Sequence, residues 1–156
     1  NRLLPQLVRG EGPIHKDLAF KRINNAFRLK RATNAFRDAF EEEIESAGKN
    51  KIDIKGNFLW PRERNSIKVR APVEGVVDSF RLIEHIPPEE ILMAFMIVVG
   101  HSFGIGEKTL LYETARLLGF KRISNNILEN LRVVYREALN SGALGIEDSF
   151  VIIKNQ

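Results

Sequence analysis

The chain resembles itself. At an offset of 91 positions, Lys30-Arg31-Ala32-Thr33-Asn34 aligns with Lys121-Arg122-Ile123-Ser124-Asn125. Phe36, Phe40 and Ile44 then meet Ile127, Leu131 and Tyr135, at the i, i+4, i+8 spacing of one helix face. Upstream, Ile14 meets Ile105, while Leu4, Leu7 and Val8 meet Phe95, Val98 and Val99, all without a gap. Five similar letters are a weak signal by themselves. Agreement of apolar phase over the whole span is a stronger one, and it predicts two copies of one unit.

Each copy is predicted to run helix, short extended link, helix, turn, longer helix, hairpin. In the second copy, Pro87-Pro88-Glu89-Glu90 starts a helix, with proline in the first turn and acids at the positive dipole end. That helix reaches Gly100, Gly104-Ile105-Gly106 forms the link, and a second helix spans Glu107 to Leu118 before Gly119 ends it as a left-handed cap. Ser124 caps a third helix to Asn140, and Leu144 to Ile153 folds into two strands turning at Glu147-Asp148-Ser149. The first copy follows the same plan. Its helices are Leu3 to Arg9, Asp17 to Phe27 and Thr33 to Ala47, with a hairpin turning at Lys55-Gly56-Asn57. An Ile67-Lys68-Val69-Arg70 strand is expected after a break at Pro61 to Asn65.

The expected fold class is mostly α with small β-hairpins, an α+β chain of two tandem winged-helix-like repeats. Repeat 1, with a basic wing, occupies residues 1–70, a connector 71–86, and repeat 2 residues 87–156. In a winged helix the third helix enters a groove and the wing touches backbone. Many such domains bind only proteins, so the fold leaves function open.

Composition narrows the classes. A 44% apolar chain of 156 residues with ten Phe is not a disordered segment. The longest apolar run, Ile91 to Val99, is far short of the about 20 residues that span a membrane. The absence of cysteine excludes disulfides and thiolate chemistry and fits a cytoplasmic location. The chain opens at Asn1, as an excised piece of a longer protein would. Its net charge of +4 is uneven: residues 1–70 carry 16 basic and 9 acidic side chains, residues 71–156 carry 8 and 11. A basic half invites an anionic partner.

Three motifs resemble chemistry and lack its parts. Gly100-His101-Ser102-Phe103-Gly104 fits a nucleophile elbow, yet His15, His85 and His101 all precede Ser102, and the elbow's base must follow. Gly100 to Thr109 approaches a phosphate loop, but Glu107 stands between Gly106 and Lys108. Glu41, Glu42, Glu43 and Glu45 point in different directions around a helix, and no histidine pair has zinc spacing. No catalytic, metal or cofactor site is expected.

Binding candidates are better. Lys30, Arg31, Thr33 and Asn34 sit at the mouth of one third helix, followed by Arg37; Lys121, Arg122, Ser124 and Asn125 sit at the other. Both sets suit either capping alone or capping with phosphate contact. The wing adds Lys51, Lys55, Arg62, Arg64, Lys68 and Arg70. Trp60 either stacks on a base or anchors the wing, and its apolar bulk favours the anchor. Asp38, Glu41 and Glu45 on the first third helix, and Leu128 and Glu129 on the second, oppose base reading along the helix.

Glu11-Gly12-Pro13-Ile14-His15, Phe58-Leu59-Trp60-Pro61 and Ile83-Glu84-His85-Ile86-Pro87-Pro88-Glu89-Glu90-Ile91 resemble an uncharacterised C-terminal domain of large bacterial proteins related to superfamily I DNA helicases. Ala115 to Phe120, with Arg122, Ser124 and Ile127, is similar to that domain's second half. The resemblance implies a noncatalytic accessory module on a DNA-processing enzyme and carries over no catalytic residues. Where the second copy has Leu118-Gly119-Phe120, the first has Phe27-Arg28-Leu29, which lacks the turn glycine. Two functions are expected from these readings. One is contact with nucleic-acid backbone, DNA above all; the other is docking onto the parent's helicase or nuclease domain, or self-association around Leu3, Leu7 and Phe80.

Overall fold

Helix caps set most of the element boundaries. In the computed structural model, which describes residues 3–63 and 66–154, the first unit carries α1 (Leu3–Glu11), β1 (Ile14–His15), α2 (Lys16–Ala26), α3 (Asn34–Gly48), β2 (Ile52–Lys55) and β3 (Phe58–Pro61). The second carries α4 (Pro88–Gly100), α5 (Glu107–Leu117), α6 (Asn125–Asn140), β4 (Leu144–Glu147) and β5 (Phe150–Ile153). The chain is thus mixed α+β, with six helices and small antiparallel sheets among the described residues. No helix among them is long and apolar enough to cross a membrane.

The units divide at Asn65/Ser66. In the first, Leu4 and Val8 of α1, Ile23 of α2 and Phe40 and Ile44 of α3 close on one core with Ile52 and Leu59 of the sheet. These helical positions recur at three to four residues, so each helix gives one apolar stripe to the interior. The sheet has the order β1-β3-β2, and Leu59 lies between Ile14 and Ile54. Trp60 is buried at 8% exposure, so it is an anchor. Leu3 and Leu7 are partly buried against this core.

The second core is larger and joins α4, α5 and α6 to the β4-β5 hairpin. Phe95 and Tyr135 meet edge to face at 6.1 Å inside it. Leu128, expected on the outer face of α6, is buried here at 7% exposure. Its position one residue after Ile127 widens the apolar stripe, and α6 needs that width because α4 and α5 both pack against it.

The expected strand at Ile67 to Arg70 is absent, and the segment is irregular. Its alternation of apolar and basic residues has another cause. Val69 packs on the second core, and Arg70 is drawn to Glu90 at the start of α4. Glu90 is fully buried. The Arg70 backbone N–H donates to its Oε1 at 2.8 Å and the Arg70 guanidinium to its Oε2 at 2.7 Å. Arg81 donates to both oxygens and also to the Arg70 carbonyl at 2.8 Å. Burial pushes the Glu90 carboxyl upward, but the hydrogen bonds and charges of Arg81 and Arg70 outweigh it and hold the group below the ordinary glutamate range. Arg70 is therefore committed to Glu90 in the second unit and is not a wing cation.

Candidate nucleic-acid interface

The turn from α2 into α3 builds a basic exposed corner of the first unit. Thr33 adopts an extended conformation and its Oγ1 accepts from the Phe36 N–H at 3.2 Å, which starts α3. Lys30, Arg31, Thr33, Asn34 and Arg37 are all exposed around this start. Among the described residues, the side chains of Lys30 and Arg31 have no hydrogen-bond or ion-pair partner. Arg37 lays its guanidinium 4.8 Å from the centre of the Phe20 ring. Four exposed cations, counting Arg28, thus lie within ten positions of a helix start whose dipole favours an anion.

The expected wing cations are differently placed. Lys51 is exposed in the turn beyond the end of α3, which is 15 residues long, so about 22 Å of helix separates it from Thr33. Lys55 holds its ammonium 4.4 Å from the Trp60 ring centre. Arg62 donates to the Lys49 carbonyl at 3.0 Å and pairs with Asp53 at 3.6 Å. Lys55 is therefore engaged within the hairpin, and Arg62 by the hairpin and the end of α3. Lys68 is exposed in the irregular segment of the second unit, and Arg64 lies outside the described residues.

In the second unit, the start of α6 carries a comparable set of residues. Ser124 Oγ accepts from the Ile127 N–H at 3.4 Å, and Lys121, Arg122, Ser124 and Asn125 are exposed. Beside them, however, Glu84 accepts from the Asn126 side chain at 2.6 Å. This sets a negative charge at the first turn of α6, where it repels a phosphate. Sequence reasoning missed this acid, since 42 positions separate it from Asn126.

The motifs that resemble chemistry serve the chain's local geometry. Ser102 Oγ donates to the Val99 carbonyl at 2.9 Å, closing the turn after α4. Gly106, extended at φ −78°, leads into α5, where Glu107 is the first residue. Glu41 and Glu45 are exposed along α3.

Residues 1–38 match a protein family described as "Protein of unknown function (DUF3320)". This agrees with a resemblance to an uncharacterised domain family. The matched stretch contains α1, β1, α2 and the complete basic corner from Lys30 to Arg37. No curated protein and no solved structure matches the chain.

Proposed function

We propose that this chain is a noncatalytic accessory module of a DNA-helicase-related cytoplasmic protein. It contacts nucleic-acid backbone through Lys30, Arg31, Thr33, Asn34 and Arg37. The observation that carries this reading is the exposure of these residues at a capped helix start, with Lys30 and Arg31 unengaged by any described side chain. Lys51 extends the contact at the far end of α3, while Lys121, Arg122, Ser124 and Asn125 form a weaker second site beside Glu84.

The proposal includes a tandem winged-helix-like architecture, for which the element spacing is the support. α2 and α5 each have 11 residues, starting at Lys16 and Glu107, and α3 and α6 start at Asn34 and Asn125, all 91 positions apart. Each unit ends in an antiparallel hairpin. β1 pairs with β3 in one, and the Val151 N–H donates to the Ile105 carbonyl at 2.8 Å in the other.

The test is fluorescence anisotropy with labelled DNA at rising salt. Binding through phosphates loses affinity with salt, and a Lys30→Ala/Arg31→Ala variant that drops two contacts lowers the logarithmic slope by about 1.4 to 1.8. An unchanged slope removes the assignment.

A second reading, docking onto the parent's other domains, is favoured by a groove in the second unit. About 440 Å³ in volume, it lies between the end of α4 and the β4-β5 hairpin, lined by Val99, Phe103 and Phe150 with Glu147 and Asp148. Salt-insensitive association with the parent's helicase or nuclease domain, in the absence of DNA binding, is its signature.

A further inference from the structure

The basic corner of the first unit carries aromatic surface where the second unit has buried aliphatic residues. Phe20, Phe27, Phe36 and Phe40 stand 91 positions before Leu111, Leu118, Ile127 and Leu131. All four of the latter are buried, Leu118 at 3% exposure, whereas Phe27 is 53% exposed. The four rings form a continuous series. Phe40 meets Phe20 at 5.1 Å, Phe20 meets Phe36 at 5.6 Å, and Phe36 meets Phe27 edge to face at 5.9 Å. The series begins in the core and ends in solvent, next to Arg28, Lys30 and Arg31.

The turn that presents Phe27 is held in place. Arg28 N–H donates to the Asn25 carbonyl at 2.9 Å, Leu29 N–H to the Asn24 carbonyl at 3.3 Å, and the Asn24 side chain to the Leu29 carbonyl at 3.2 Å. An exposed ring on a fixed turn loses little entropy when something stacks on it.

We propose that this corner binds single-stranded nucleic acid, with an unpaired base stacked on Phe27 and the flanking phosphates on Lys30 and Arg31. The inference rests on the backbone-contact reading above and names its substrate class. An aromatic face beside cations suits single strands because every unpaired base offers a π-face, while a duplex keeps its faces stacked inside. Asp38, Glu41 and Glu45, exposed in the later turns of α3, repel a duplex lying along that helix but spare a strand that touches only its first turn.

The test compares a labelled oligothymidine of roughly 16 nucleotides with a duplex of the same length, using the 156-residue chain. Phe27→Leu installs the residue found at the matching position of the second unit, and Phe27→Ala removes the ring altogether. Both variants are checked for an unchanged thermal transition. The expected result is tighter binding of the single strand, weakened about fivefold or more by either substitution with its salt slope retained. Duplex binding at equal strength, or single-strand affinity indifferent to Phe27, overturns this inference and leaves the backbone contact standing. Failure to bind either nucleic acid at low salt overturns both.

Discussion

Arg81 grips the carboxylate of Glu90 with two nitrogens, Nη2 to Oε1 at 2.6 Å and Nη1 to Oε2 at 2.9 Å, and Glu90 is wholly out of solvent. Arg70, which also binds Glu90, has a side chain 35% exposed, and that of Arg81 is only 9% exposed. Removing the anion leaves the buried Arg81 guanidinium without its countercharge. Glu90→Gln should therefore destabilise the chain by about 3 kcal/mol or more, measured by urea denaturation. A loss under about 1 kcal/mol would show that the cluster is dispensable.

The same cluster sets an acid limit. The folded Glu90 carboxyl titrates below its unfolded value, so its contribution is complete at neutral pH and disappears as pH falls through the folded value. The stability difference between wild type and Glu90→Gln should hold from pH 7 to about 5 and shrink below about 4. A difference that persists undiminished below about pH 4 would contradict the shift.

Two turns at matching positions make opposite predictions. Gly119 and Arg28 stand 91 positions apart and both adopt positive φ, +96° and +54°. A Cβ at Gly119 would also overlap the ring of Pro72. Gly119→Ala should cost about 1 to 3 kcal/mol from backbone strain, with the overlap added. Arg28→Gly should be neutral or stabilise by up to about 1 kcal/mol, because it relieves a left-handed residue that bears a Cβ. Thermal melts of both variants decide the matter, and a destabilised Arg28→Gly would refute the strain assignment.

Glu84 is expected to suppress the second basic corner. Glu84→Gln keeps an acceptor for Asn126 but removes the charge beside α6, so DNA affinity should rise about two- to fivefold at low salt and less at high salt. Anisotropy titrations at two salt concentrations measure this. Unchanged affinity would mean that Lys121 and Arg122 contribute nothing to binding.

Much of the local structure was legible in the residues. Thr33 and Ser124 are helix caps, Gly119 is a left-handed turn, and the Gly56 and Asp148-Ser149 turns close hairpins where their side-chain chemistry indicated. Such signals operate over a few positions, so no tertiary information is needed to read them. Arg28 is the instructive exception. Its type argued against the tight turn, yet hydrogen bonds of Arg28, Leu29 and the Asn24 side chain close it. The candidate site was legible in part. Lys30 to Arg37 were evident from their charge and spacing, whereas the engagement of Arg62 by Asp53 and of Lys55 by Trp60 depends on strand register across the hairpin.

The residues alone determined the order of the six helices and the capped, basic helix start, because caps, turns and apolar periodicity act within one or two helical turns. Tertiary structure alone decided which charges are available. Glu90 meets Arg81 and Arg70 from 9 and 20 positions away, and Glu84 reaches Asn126 from 42. It also decided that Phe27 faces solvent while Leu118 is enclosed. Burial depends on what folds over a residue from elsewhere in the chain, and no local pattern encodes that neighbour.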